Sequence, residues 1–220
     1  MAHSPLHLHR EQHSIERGGD PSPSFLQEIG DVVVFGLEQR EDRWQRCQEI
    51  LQGAGVTEVT RFANTKKEDK YRGVTEDFLK VLIRMPRNIV FFEDDFELTD
   101  NWQRVLSEAW QELPKDWDLL YLGANLTKTP KRMSKRIVRV RGAWCFHAVV
   151  INKRFVPYIL KFFDVNRRQV FDEWLRIQAE ARRFYMTVPI IAYQRESYSD
   201  FENKVVNYNL FTNKYYLQIR

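Results

Sequence analysis

The apolar run Ile89-Val90-Phe91-Phe92 passes directly into three consecutive acids, Glu93-Asp94-Asp95. β-Branched and aromatic residues without polar alternation describe a strand covered on both faces, the condition of a central strand in a parallel sheet. The acids then fall where that strand ends. In open α/β sheets ligands bind in the crevice beyond the carboxyl ends of the strands, so carboxylates there face a cleft and can hold a divalent cation against a phosphate. The competing account is that the triplet caps the next helix or solvates a turn. That helix carries its own start signal, because Asp100 with Gln103 makes a capping-box pattern and Thr99 is a second cap candidate. The acids are therefore surplus to capping, and carboxylates this crowded repel one another unless something cationic lies between them.

A chain of 220 residues is long enough for one domain with a substantial core, with room for a tail. No stretch approaches the roughly 20 consecutive apolar residues of a membrane helix, and the N-terminus lacks the apolar segment of a secretory signal. Cys47 and Cys145 are too few for a disulfide framework or a zinc quartet. The expectation is a reduced, cytoplasmic protein with no transmembrane segment. The net charge of +4 permits an anionic partner. Much of the excess is local, since Lys128, Lys131, Arg132, Lys135, Arg136, Arg139 and Arg141 crowd a segment, 128–141, that contains no acid. Such a patch suits DNA, an anionic glycan or lipid head groups, and equally a solvated loop leading into an edge strand.

Residues 1–27 read as a disordered tail, with His3, His7, His9 and His13 among Ser, Pro and Gly, and the folded domain as 28–220. Val32 to Leu37 reads as a strand, and Arg40 to Gln52 as a helix with Trp44, Cys47 and Leu51 at helical spacing, ended by Gly53. A short strand follows around Glu58 to Phe62, then a helix from Thr75 to Met85 stopped by Pro86. After the acidic strand, Trp102, Val105, Leu106, Ala109, Trp110 and Leu113 form one helical stripe. Asp118 to Gly123, Ile137 to Arg141 and Phe146 to Ile151 read as strands, Arg154 to Phe163 and Phe171 to Arg183 as helices, and Tyr185 to Tyr193 as a last strand. This alternation indicates an α/β fold with a mostly parallel central sheet flanked by helices.

Several blocks, in this order and spacing, resemble glycosyltransferase family 25, the lipopolysaccharide-type and collagen galactosyltransferase-like enzymes with a GT-A fold. They are VVVFGLEQREDR from Val32, IVFFEDDFEL from Ile89, LPKDWDLLYLG from Leu113, FHAVVINKRFV from Phe146, FDEWL from Phe171 and QRESYSDFE from Gln194. The resemblance covers about Val32 to Glu202. It implies a single GT-A-like domain, a UDP-sugar donor, Mn²⁺ or Mg²⁺, and inverting transfer of a hexose onto a hydroxyl acceptor, a surface glycan precursor being the first expectation. A hard cation held by carboxylate oxygens would neutralise a departing nucleoside diphosphate. Asp95 is the expected direct metal ligand, Asp94 a ligand or a contact of the donor sugar, and Glu93 a further ligand or a support of the loop.

The family pattern of Leu, two residues, Arg and then Asp-Arg is matched by Leu37, Arg40, Asp42 and Arg43, whose guanidinium forks could reach a diphosphate or solvate a first helical turn. Lys70 and Arg72 match a donor-proximal loop less closely. In the helix that follows, the family commonly has Ser-His where this chain has Glu76-Asp77. Asp172 falls where the family carries an acid and is the candidate base for the acceptor proton, although Asp at a helix start is also an ordinary N-cap; Glu173 is the reserve. Asp200, with Ser199 and Gln194, matches the C-terminal element and is expected to complete the metal or donor site. His147 reads as a core histidine, and Trp144 as a stacking surface or a core residue. Two other readings remain at this level: transfer to hydroxymethylated bases of DNA bound by 128–141, and a non-catalytic nucleotide-sugar-binding module.

Overall fold

The structure, a computed structural model, describes residues 24–64, 70–164, 170–199, 203–207 and 210–219. The first half runs α1 (Phe25–Ile29), β1 (Asp31–Leu37), α2 (Glu41–Gly53), β2 (Thr60–Asn64), α3 (Lys70–Arg84), β3 (Ile89–Glu93), β4 (Phe96–Leu98) and α4 (Trp102–Glu112). The second half opens on β5 (Leu119–Tyr121), β6 (Asn125–Leu126), β7 (Lys131–Arg132), β8 (Ile137–Arg139), β9 (Ala143–Trp144) and β10 (Ala148–Ile151). It continues with α5 (Val156–Phe162), α6 (Phe171–Gln178), β11 (Phe184–Thr187), β12 (Ala192–Gln194), β13 (Ser197–Ser199), β14 (Lys204–Val206) and α7 (Lys214–Leu217). Helix α1 buries Leu26 completely, so packed structure begins ahead of the expected boundary at residue 28.

Eight strands form the central sheet in the order β2-β1-β3-β10-β5-β11-β8-β7. β1 is parallel to both β2 and β3, and β5 is parallel to β11, but β10 runs antiparallel between β3 and β5, and β8 antiparallel to β11. The sheet is thus mixed, not mostly parallel as expected. A run such as Ala148–Ile151, buried on both faces, has no alternation and carries no mark of direction.

Two hydrophobic layers sandwich this sheet. Val32 and Val34 of β1 and Val90 and Phe92 of β3 pack with Trp44, Cys47 and Leu51 of α2 and Val105, Leu106 and Ala109 of α4. The alternate residues, Val33, Phe35, Ile89 and Phe91, pack with Phe78, Val81 and Leu82 of α3 and Phe171, Trp174 and Leu175 of α6. The period of two along each strand sends successive side chains to opposite helix layers.

Several element ends differ from expectation. Helix α2 continues through Gly53 with Ala54 as its C-cap, and the chain turns away at Gly55, whose φ of 74° is the left-handed value glycine tolerates. Gly55 N donates to Gln52 O and Val56 N to Leu51 O, a Schellman closure. Asn101, not Asp100, occupies the N-cap of α4 and makes no side-chain cap bond, so the expected capping box is not formed. Helix α6 stops at Gln178 because the chain turns there to enter β11 beside β5. The expected strand from Tyr185 to Tyr193 is divided at Val188-Pro189, and β12 leaves to pair with β4.

Candidate active site at the strand switch point

From β1 the chain crosses through α2 to β2 on one side, then returns through α3 to β3 on the other side of β1. Because α2 and α3 cover opposite faces, the carboxyl ends of β1 and β3 diverge into a crevice, the place where open α/β sheets bind ligands. A cavity of about 500 Å³ lies there, within the range of small-molecule sites. Phe35, Phe78, Phe91, Phe146 and Phe171 form its apolar floor. Phe78 makes edge contacts with Phe91 and Phe146, each at 5.3 Å between ring centroids.

Polar groups occupy the walls. Glu93, Asp94 and Asp95 arrive from β3 and the turn after it, Arg43 from α2, Asn64 from β2, Thr75 from α3, Asp172 from α6, and Gln194 and Ser199 from the C-terminal segment. The cation inferred from the crowding of the acids is in part Arg43. Its Nη1 donates to Asp94 Oδ1 at 2.6 Å and lies 3.5 Å from Asp95 Oδ2, while Nη2 donates to Ser197 Oγ and Tyr198 O. Arg43 thus ties the acid turn to β13. Burial still raises the Asp94 carboxyl above its ordinary value, with Arg43 opposing. The Asp94 carboxylate sits against Gly36, where a Cβ would stand 2.2 Å from Oδ2. Gly36→Ala should therefore displace Asp94 from Arg43 and destabilise the fold by roughly 1–3 kcal/mol, read from urea melts. An unchanged midpoint would contradict this account of the glycine.

Gln194 Nε2 donates to both Glu93 Oε2 and Asp95 Oδ1, at 3.2 and 3.3 Å. These two oxygens flank a single point already favourable to positive charge. Both carboxyls are pushed up, first by burial; neighbouring acids add to the rise in Glu93, while Arg43 opposes it in Asp95. Two carboxylates are what a Mg²⁺ site commonly takes from protein when substrate phosphate supplies further oxygens, so this pair fits such an ion. No group of three or more His, Cys, Asp or Glu is placed so as to hold one metal ion among the described residues. Asp200, expected as a further ligand, lies outside the described residues.

Asp172 is not an N-cap. Val170 holds that position in α6, and an Asp172 carboxylate oxygen accepts from Cys145 N at 3.1 Å, a tertiary contact. Burial raises this carboxyl to about 6, opposed by the backbone donors of Cys145 and Phe146. Glu173, the reserve base, does not line the cavity; it pairs with Arg176 at 2.7 Å, which pulls its carboxyl below the ordinary value. Arg176 in turn lies 5.0 Å over the ring of Trp144, which lines the cavity. Arg40 makes a bidentate pair with Asp42, holding that acid down to about 2, and lines a small neighbouring recess with Gly36, Arg61 and Asp94. Lys70 and Arg72 fall in the first turn of α3, with side chains outside the described set. Asp77 is buried against Lys80. His147 is fully buried, its ring pushed down to about 4 by burial.

Three cavity-lining residues carry a buried polar atom with no hydrogen-bond partner among the described residues: Arg43 Nε, Asn64 Oδ1 and Gln194 Oε1. Four more such atoms, on Thr127, Arg139, His147 and Arg182, lie on residues away from the cavity, so orphaned atoms do not by themselves mark it out. Asn64, Thr75, Cys145 and Gly36 line the cavity but are not among the site residues expected from the sequence. Gly36 alone had a signal, a glycine inside a β-branched strand marking close approach.

Three of the seven cations in the basic segment pair with two acids of the fold. Lys128 and Arg141 pair with Glu180, Arg136 with Glu108, and Arg132 and Arg139 donate to backbone carbonyls. No helix among the described residues is long and apolar enough to cross a membrane. No protein-family model matches the chain, and no curated protein is significantly similar to it.

Proposed function

We propose that this protein is a glycosyltransferase with a GT-A-like fold, moving a sugar from a nucleoside-diphosphate donor, UDP-linked, to a hydroxyl acceptor with inversion. The observation that carries the reading is the meeting in one switch-point cavity of the β3 acids with Asp172, a carboxylate brought there by α6 and close enough to raise Glu93. Support also comes from the aromatic floor, which suits the apolar faces of a base and a sugar.

In this reading Asp95 and Glu93 would hold Mn²⁺ or Mg²⁺, which offsets the charge of a diphosphate leaving group. Gln194 keeps those carboxylates facing one another, and Arg43 fixes Asp94 and hence the turn that carries Asp95. Asp172 takes the proton of the acceptor hydroxyl as its oxygen bonds to the anomeric carbon and the bond from that carbon to the diphosphate oxygen breaks. The backbone donors of Cys145 and Phe146 hold the Asp172 carboxylate in place for this. A surface glycan precursor is the acceptor class we favour, as the resemblance of the sequence blocks implies; DNA held by segment 128–141 is the second acceptor reading.

The test is release of UDP from a panel of UDP-sugars with Mn²⁺, with and without glycan acceptors. Release is expected from at least one donor, falling by about a hundredfold or more in Asp95→Asn. Absence of release from every donor in the presence of acceptors, or full activity in Asp95→Asn, would overturn the assignment.

A further inference from the structure

The phenyl rings on the cavity floor are buried, whereas Trp144, which lines the same cavity, is 37% exposed. In β9 it alternates with Ala143, which is buried in the core, so the Trp144 side chain leaves the strand on the other side. Arg176 lies 5.0 Å over the ring. A guanidinium stacks on one face of an indole and leaves the other, so the exposure that remains is an open aromatic surface at the rim of the cavity.

Position says which part of a reaction meets that surface. Cys145, the next residue, donates its N–H to Asp172 at 3.1 Å, and bond lengths then put the carboxylate within about 6 Å of Trp144 Cα. The chain makes this contact through a left-handed residue, since Cys145 has a φ of 74°. That conformation is costly for a non-glycine residue and persists where a site over-determines it. The indole therefore stands next to the group that takes the acceptor proton. Charge narrows the class of acceptor. Arg176 gives Nε and Nη2 to Glu173, at 3.0 and 2.7 Å, so the cation behind the indole is already neutralised and offers little to a phosphate or a carboxylated sugar. A neutral pyranose, with a face of C–H groups, fits an indole without needing charge.

We infer that Trp144 is the acceptor platform, its open face stacking on the C–H face of a neutral hexopyranose whose hydroxyl is presented to Asp172. This rests on the transferase reading above and adds the class of acceptor and the residue that seats it.

Fluorine NMR of the full chain labelled with 5-fluorotryptophan, in UDP and Mg²⁺, decides this. The titrants are the methyl β-glycosides of glucose, galactose and N-acetylglucosamine and, separately, an oligonucleotide containing hydroxymethylcytosine. The resonance that disappears in Trp144→Phe marks the indole, and it should move with at least one glycoside, equally in low and high salt. With a glycan acceptor that supports UDP release, Trp144→Ala should raise the acceptor KM about tenfold or more and change kcat far less. Trp144→Phe, which keeps an aromatic face, should recover most of that loss. A Trp144 resonance unmoved by every glycoside, movement with the oligonucleotide alone, or a KM effect that merely tracks a lowered melting temperature overturns the platform. If Trp144→Ala turns over at the wild-type KM, the platform falls and the transferase reading stands. If glycosides move the resonance but no UDP-sugar is consumed, the sugar site stands and the transferase reading falls.

Discussion

Arg43→Ala should cost about 3–5 kcal/mol of stability at pH 8, the scale on which a buried ion pair fails when one partner is removed. Arg43 is 7% exposed and supplies the closest cation to Asp94, which is itself buried. Without the guanidinium, Asp94 keeps a charge it cannot hydrate, and Ser197 and Tyr198 lose the donor that fastens β13. The sign with pH follows. Burial already raises the Asp94 carboxyl against the pull of Arg43, so in the variant it rises further and the folded protein takes up a proton more readily. The deficit should therefore shrink as pH falls from 8 to 5. Urea melts at the two values test this; a loss under about 1 kcal/mol at pH 8, or one that grows on acidification, would show that the pair is not what holds the acid turn.

Asp172→Asn should lower transfer by about a hundredfold to ten-thousandfold while leaving the fold intact, the range attached to loss of a positioned general base. Asparagine keeps an acceptor for Cys145 N but no longer takes a proton. In the wild type, activity should climb with pH through about 6, where this carboxyl ionises, and that limb should vanish from the residual activity of the variant. Stability moves the other way. The folded carboxyl, raised to about 6 from 3.8, binds its proton more tightly than the unfolded one. The stabilisation it gives is fully present below about pH 4 and is lost as pH rises through about 6. The groups coupled to it are Glu93, Cys145 and Tyr121. Asp172→Asn removes that loss and should melt at or above the wild-type temperature at pH 8, in the same samples that fail to turn over. A variant that is equally active, or inactive only because it has unfolded, would remove Asp172 from the role.

How far the chain could be read depended on whether a residue's job is local. Trp44, Cys47 and Leu51 recur at helical spacing and do form the buried stripe of α2, and Ile89–Phe92 gives a central strand ending in acids that face a cavity. Periodicity reports burial, so these elements were legible. Direction was not, because β10 is buried on both sides and would look the same if reversed. Partnership was not legible either. Arg43 and Asp94 are 51 positions apart and Arg43 and Ser197 154 apart, so nothing in the order of residues distinguishes an arginine that neutralises the acid turn from one that meets a diphosphate. Glu173 and Asp172 are neighbours in sequence, yet the turn of α6 sends one to Arg176 and the other to Cys145 N. Asn64 gave no signal, since only the fold brings the end of β2 to the cavity.

The guanidinium that joins residue 94 to residues 197 and 198 has one further implication. A single planar group fastens the turn after the acidic strand and the hairpin made by β13 and β14, whose Ser199 and Val206 border the same cavity. With a ligand in the hollow, its binding and order in the hairpin would be two ends of one thermodynamic linkage, each strengthening the other by the same factor. Substitutions confined to that hairpin, distant in sequence from every acid discussed, should register as changes in ligand affinity.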